Sequence, residues 1–472
     1  MNTDAIIDAI AGQMPVEPNE DQVGLFRVMA GFLLSKTHRK TLVIRGYAGT
    51  GKTTVITALR NFLEANRYMV VMLAPTGRAA KVMTQYSGKP AFTIHRIIYG
   101  AEENEWGGTS FSLAHNKFKN TFFIVDEAGM IGNEPSMFTG SGDARCLLDD
   151  LFEYVENGMN CHLILSGDTA QLPPVGSSKS FGLDPEYIVK NYSTEVHSYE
   201  LWNVVRQEKE SGILANATRL REQLKNEDKE LPVLHFNNTD FRNIDGYNFP
   251  DELETAYAKY GQENVLIITR SNKKANLYNG QVRYRLLYRE NKLDGGDQVM
   301  VIRNNYYWNK QYKDMPMLAN GESMEIVRVK KIQEKYGFEF AEAEARLLLG
   351  DDDTVLDFIF MLDTIGIETA TLSADKMREL FDQIRAQMLL SNQRASKYDI
   401  YRDPYFNALQ IKFSYAVTCH KAQGGQWPVV FIDAGVLLPD MAVSEYIRWL
   451  YTAITRGVEK VFFVGYPENL SV

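Results

Sequence analysis

The stretch Gly46-Tyr47-Ala48-Gly49-Thr50-Gly51-Lys52-Thr53-Thr54 combines the residue types that hold a triphosphate. Its glycines let the backbone curl so that N–H groups point at phosphate oxygens. Lys52 has the reach for the β- and γ-phosphates, and the Thr53 hydroxyl is a hard ligand for Mg²⁺. Further along, Asp126-Glu127 supplies paired carboxylates. Asp126 suits Mg²⁺ through a water, and Glu127 suits orienting or deprotonating the water that attacks the γ-phosphate. Gln171 is placed to sense that phosphate, and Arg206 and Arg456 are candidate cations for it. Gln22 carries an amide that can face an adenine edge as donor and acceptor together. Each has a plainer reading: a chance Gly-rich turn, a surface carboxylate pair, a solvated glutamine, an arginine that compensates a helix dipole.

Context separates these readings. The Gly-rich stretch follows Thr41-Leu42-Val43-Ile44-Arg45, an apolar β-branched run that reads as a buried strand. Val55, Ile56, Leu59, Phe62 and Leu63 then recur at helical spacing, and the start of that helix adds partial positive charge. Tyr68 to Ala74, Thr121 to Val125 and Cys161 to Leu165 are further near-continuous apolar runs, as in parallel strands covered on both faces. Asp126-Glu127 and the segment Ser166 to Gly176 therefore leave strand carboxyl ends, where ligands bind in open α/β sheets. Pro75-Thr76-Gly77-Arg78 opens a helix in the same position. The neighbours of His95, Thr93 and Arg96, suit a phosphate backbone, against a plainer core or surface role for the histidine. Asn19 is expected to cap a helix through Leu25, Met29 and Leu33.

A second parallel-sheet core is implied by Val265 to Arg270, Val429 to Asp433 and Val461 to Gly465. Between the first two of these lies a segment too long for a simple crossover. Asp297 to Arg303 and Ser323 to Val329 alternate like half-exposed strands, and Asn320-Gly321 is a turn signal. A small inserted β-barrel is the expectation, with a helix through Leu380, Phe381, Ile384 and Met388 capped by Ser373. Asp351-Asp352-Asp353 reads as an exposed loop. Ser444 opens a helix through Tyr446, Ile447, Leu450, Tyr451 and Ile454 that closes at Arg456.

At 472 residues the chain exceeds one core. Its apolar share of 45% and charged share of 24% are those of a soluble globular protein. A net charge of −9 argues against a nucleic-acid coat protein but leaves room for an enzyme with a local basic groove. Cys146, Cys161 and Cys419 are too few and scattered for a disulfide framework or a zinc site. No apolar stretch reaches transmembrane length, and Met1 to Gln13 lacks the basic start of a signal peptide, so no membrane and a cytoplasmic setting are expected.

Taken in order, the segments GYAGTGKTT, IVDEAGMI, LSGDTAQLPPVG, YAVTCHKAQGGQW and LYTAITRG resemble the motif series of superfamily 1 helicases, in the 5′-to-3′ branch of RecD- and Dda-like enzymes. The resemblance runs from about Gln22 to Gly465. It implies an α/β fold of two RecA-like cores: residues 1–185 with the phosphate loop, then 186–283 together with 411–472. An SH3-like subdomain is inserted at 284–410, and a strand-separating hairpin at about 99–120 carries Phe111 or Phe118 at its tip. It implies a site for ATP and Mg²⁺ at the interface of the cores. In that site Gln22 reads adenine, and Gly46, Ala48, Gly49, Thr50, Gly51, Lys52, Thr53 and Thr54 hold phosphates. Thr53 and Asp126 hold the metal, Glu127 handles water, Gln171 senses the γ-phosphate, and Arg206 and Arg456 reach it from the second core. Gly424 and Gln426 fall in the motif that meets the ribose. Pro75, Thr76, Gly77, Arg78, Thr93, His95, Arg96, Asn304, Thr418, His420 and Lys421 line a path for single-stranded DNA. The chain departs from many relatives in having Ala422-Gln423-Gly424-Gly425-Gln426 for Ser-Gln-Gly-Ser-Glu, so the ribose contact carries no charge. Tyr336 to Tyr405 matches poorly.

The expected activity is an ATP-driven motor, sufficient as a monomer, on single-stranded and forked or tailed duplex DNA. A small-molecule kinase and a non-motor ATP-gated scaffold are the alternatives. The first leaves the second set of strands unexplained; the second has no use for Glu127.

Overall fold

The computed structural model describes residues 2–103, 109–134, 136–137, 144–204, 211–237, 239–308, 312, 318–348, 354–391, 395–435 and 441–472. Arg206 and Asp351-Asp352-Asp353 lie outside these residues. The chain forms two units: residues 1–100, 112–235 and 438–455, and residues 101–111, 236–437 and 456–472.

The first unit begins with β1 (Lys40–Gly46), β2 (Met69–Ala74) and β3 (Ala91–Thr93), and a hairpin of β4 (Tyr99–Glu103) and β5 (Thr109–Leu113) follows, whose residues 101–111 are counted with the second unit. Then come β6 (Lys119–Val125), a short hairpin of β7 (Ser136–Met137) and β8 (Ala144–Arg145), β9 (Met159–Gly167) and β10 (Glu195–Leu201). Six of them build one parallel sheet in the order β10-β1-β9-β6-β2-β3. Leu42, Val43 and Ile44 are fully buried, as expected of a strand with helices on both faces. One face packs Phe26, Leu42, Ile44, Ile56, Leu59 and Phe122 together. The helix Glu20–Leu34 starts in a capping box: Asn19 Oδ1 accepts from Gln22 N, and Gln22 Oε1 accepts from Asn19 N.

Two segments correct the expected boundaries. β10 pairs with β1, Arg45 opposite Glu200, so the first sheet continues past residue 185. It is an edge strand whose polar residues hide its membership from a search for apolar runs. The helix Val443–Ile454 also belongs to the first unit, not to a second core spanning 411–472. It is buried from Tyr446 to Ile454 except at Arg448, so its sequence says that it is covered but not by what.

The second unit holds the parallel sheet β11-β20-β19-β12-β18, from β11 (Phe241–Ile244), β12 (Val265–Thr269), β18 (Ala416–Thr418), β19 (Trp427–Asp433) and β20 (Gly457–Val464). Between β12 and β18 the chain closes a five-stranded barrel: β13 (Gln298–Val301), β14 (Ser323–Lys335), β15 (Phe338–Leu347), β16 (Val355–Met361) and β17 (Leu409–Phe413). Phe340, Ala341, Ala343, Phe358 and Phe360 are buried in its core. The poorly matching segment from Tyr336 thus supplies two barrel strands and the helix Ala374–Leu390, capped by Ser373 as expected. At the barrel's entrance Asp297, fully buried, accepts from Arg283 (2.9 Å), Arg289 (2.8 Å) and the Tyr415 hydroxyl (3.1 Å).

Candidate nucleotide-binding site

Parallel pairing brings three loops side by side. β1 ends in the phosphate loop, its neighbour β9 ends before Asp168 and Gln171, and the next strand, β6, ends before Asp126 and Glu127. Adjacent strands lie about 4.8 Å apart, so the three loops share one stretch of sheet edge.

Gly49 and Gly51 adopt φ of +82° and +83°, a region that costs glycine nothing. A Cβ on Gly49 would also come within 3.0 Å of Val204. Gly51 is the N-cap of the helix Lys52–Ala65, so the first helical N–H groups open towards the loop. The Thr50 hydroxyl, fully buried, donates to Tyr47 O (2.8 Å), and Lys52 Nζ donates to Gly46 O (2.6 Å) and Tyr47 O (2.9 Å). The lysine is thus held within the loop where phosphate oxygens would compete for it. The Tyr47 hydroxyl donates to Glu200 Oε1 (3.0 Å), and burial with that carboxylate pushes its ionisation up. Thr53 and Thr54 open the helix.

Asp126 Oδ2 accepts from the Tyr86 hydroxyl at 2.7 Å. Burial, then the carboxylates of Asp126 and Glu127, hold that phenol protonated. Glu127 sits at φ +54°, ψ +34°, a left-handed conformation that costs a side-chain-bearing residue about 1–3 kcal/mol. Strain of this kind at a carboxylate beside a phosphate loop fits a positioned functional group. An Asp126 carboxylate and a Thr53 hydroxyl are hard oxygen donors, the set that suits Mg²⁺ shared with phosphates. Among the described residues no cluster of His, Cys, Asp or Glu offers a denser metal site.

Asp168 Oδ1 accepts from Ala170 N (2.9 Å), turning the chain that carries Gln171. Gln171 is 7% exposed, and its Oε1 is buried with no hydrogen-bond partner among the described residues. Gln22 is 3% exposed, and its Oε1 accepts from Asn19 N in the capping box, which leaves one lone pair of that oxygen beside the Nε2 donor.

The other expected residues fall in several places. Thr76 caps the helix Gly77–Ser87 by accepting from Ala79 N (3.2 Å), next to half-buried Pro75 and Arg78. Burial lowers Arg78 to about 10. Thr93 accepts from Arg96 N, and Arg96 is exposed over the Phe92 ring. His95 is pushed down to about 4 by burial and lies 5.6 Å from the Tyr99 ring, so it is a neutral imidazole at physiological pH. In the second unit Thr418 and Lys421 line one cleft with Asn279 and Lys412, and burial lowers Lys421 to about 8. His420 and Gln426 are exposed, and Gly424 takes φ +73°. Asn304 Oδ1 accepts from Asn320 N (2.7 Å). Arg456 is buried and donates to Gly425 O (3.1 Å). Phe118 is a correction: it follows the β4–β5 hairpin and packs edge-on against Phe123, at the base of β6 and not at a tip. The side chain of Phe111, on β5, is not described.

Sequence reasoning missed Tyr86 and Tyr451. Each is an aromatic at helical spacing, indistinguishable in sequence from a core residue.

Site and fold together define a P-loop ATPase with a second parallel sheet and an inserted barrel. Residues 27–235 match the AAA domain family model, and residues 413–464 match the UvrD-like helicase C-terminal domain. The chain is 23% identical to the ATP-dependent RecD2 DNA helicase of Deinococcus radiodurans, over 95% of this chain and 50% of that one. It is 22% identical to the ATP-dependent DNA helicase dda of Enterobacteria phage T4, over 94% of this chain and 98% of that one. The crystal structure of Pif1 helicase from Bacteroides in complex with ADP-AlF3 and ssDNA superposes with a TM-score of 0.50 at 15% identity, covering 96% of this chain and 93% of that one. The two family models and these relatives make the chain similar to superfamily 1B helicases of the RecD- and Dda-like kind.

Proposed function

We propose that the protein is an ATP-dependent DNA helicase that moves 5′-to-3′ along single-stranded DNA and opens tailed or forked duplexes. The observation that carries this reading is the alignment of Lys52, Asp168–Gln171 and Asp126–Glu127 at the carboxyl ends of β1, β9 and β6. Lys52 and the loop amides bind the β- and γ-phosphates. Thr53 and Asp126 hold Mg²⁺, which neutralises charge developing on the phosphates. Glu127 orients the attacking water, Gln171 contacts the γ-phosphate, and Arg206 and Arg456 stabilise its transition state. Gln22 presents its Nε2 to adenine. The strand path uses the Thr76 and Thr93 caps in the first unit and Thr418, His420 and Lys421 in the second. Its phosphate contacts make binding indifferent to base sequence and sensitive to salt.

The test is ATPase rate with and without oligo(dT), followed by unwinding of duplexes bearing only a 5′ or only a 3′ tail. Stimulation by oligo(dT) and preference for the 5′ tail are expected. Turnover indifferent to DNA would favour a small-molecule kinase, and preference for the 3′ tail would overturn the polarity.

A further inference from the structure

The helix Val443–Ile454 presents Arg448, Tyr451 and Thr452, three and four residues apart and hence on one face, to the loop that carries Gln171. The Tyr451 hydroxyl donates to Asp168 Oδ2 at 2.6 Å and accepts from Ala48 N at 2.9 Å. Thr452 Oγ1 accepts from Leu172 N at 2.9 Å. Arg448 Nη1 donates to Thr169 O. The loop is therefore pinned at residues 168 and 169 on one side of Gln171 and at 172 on the other. Among the described residues the Gln171 Oε1 has no partner, and the bonds from the helix hold the loop on both sides of it. Tyr451 is 1% exposed, Thr452 fully buried and Asp168 3% exposed, so these bonds are made away from water, where an unmade one is costly. Ala48 belongs to the phosphate loop. One phenol oxygen thus ties the loop bearing Lys52 to the loop bearing Gln171, and only a group that both donates and accepts at one atom can do this.

We propose that Tyr451 is a positioning residue for ATP hydrolysis: it sets the phosphate loop and the γ-phosphate-sensing loop in register, with Thr452 and Arg448 holding the second loop's far side. This rests on the proposed ATPase reading. Tyr451 touches neither nucleotide nor water in this scheme. Its effect falls on the geometry in which Gln171 meets the γ-phosphate, so hydrolysis suffers while ATP binding does not.

Tyr451→Phe keeps the ring and removes both bonds. Its kcat for ATP is expected to fall about ten- to a hundredfold, with KM and the affinity for a fluorescent ATP analogue within about threefold, as for loss of an interaction that matters in the transition state alone. Thr452→Val, which removes one bond and nearly conserves shape, is expected to lower kcat severalfold with KM unchanged. Amide hydrogen exchange on nucleotide-free protein reads the same link without turnover: in Tyr451→Phe, peptides spanning 46–53 and 166–172 should exchange faster together. A kcat for Tyr451→Phe within twofold of wild type would overturn the proposal. So would a loss carried wholly by KM, or faster exchange in one peptide only. Failure of oligo(dT) to stimulate the wild-type enzyme would overturn the motor reading and leave the exchange comparison to decide the role of Tyr451.

Discussion

The Tyr86 hydroxyl, near the end of the helix Gly77–Ser87, donates a 2.7 Å hydrogen bond to Asp126, the carboxylate assigned to Mg²⁺. The helix that carries this phenol begins at Thr76, in the proposed DNA path, so one rigid element runs from the strand-facing end to the metal-facing carboxylate. Partners that orient a metal-holding carboxylate commonly contribute ten- to a hundredfold in metal affinity or activity. Tyr86→Phe should therefore raise the Mg²⁺ concentration for half-maximal ATPase by about tenfold, with kcat recovered at saturating Mg²⁺. An unchanged Mg²⁺ titration would remove Tyr86 from the site.

Lys52 and Glu127 should separate binding from chemistry. Lys52→Ala removes the cation that meets the phosphates, and equilibrium binding of a fluorescent ATP analogue should fail along with turnover. Glu127→Gln keeps the shape but loses the base. It should retain binding while hydrolysis drops by about a hundredfold or more, the contribution of a positioned base. Equal loss of binding in the two variants would contradict the division of roles.

Asp297 holds buried Arg283 and half-buried Arg289 at the barrel's entrance. Removing one member of such a group strands the others, and losses of about 3–5 kcal/mol are typical. Asp297→Ala should lower the denaturation midpoint followed by tryptophan fluorescence, since Trp308 is buried in the same core. Lys52→Ala should leave that midpoint unchanged.

His162 makes stability depend on pH. It is 5% exposed between Phe32 and Phe122, and burial, then the charges of Lys40 and His38, push it down to about 4. The fold therefore prefers neutral imidazole, while the unfolded chain takes a proton near its ordinary value of about 6.5. The stabilisation is fully present above about pH 6.5 and is lost as pH falls from there towards 4. His162→Phe should flatten the pH dependence of stability in that window by up to about 1.4 kcal/mol per pH unit. His95, lowered in the same direction, keeps part of the slope. An unchanged slope in urea titrations between pH 4.5 and 6.5, values chosen to lie inside the window set by the ordinary histidine pKa, would show that His162 is already neutral in the unfolded chain or charged in the fold.

The phosphate loop was legible residue by residue because its chemistry is local. Gly49 and Gly51 are the types that a left-handed backbone tolerates, and the strand before and the helix after them announce themselves by period. The same holds for the strands that run up to Asp126 and Asp168, whereas β13, expected to alternate as a half-exposed strand, is buried at all four of its residues because it lies between two barrel neighbours. β10 was not legible, since an edge strand partners β1 through its backbone and its polar side chains say nothing of that. Nor was the place of Val443–Ile454, or the link between Tyr451 and Ala48, 403 positions apart in the chain. By itself the sequence determined which groups can bind a triphosphate, because residue type and short-range spacing set that chemistry. Tertiary structure alone decided which buried hydroxyls hold those groups in place, because a hydrogen bond between distant segments is specified by the packing of whole elements and leaves no pattern in either segment alone.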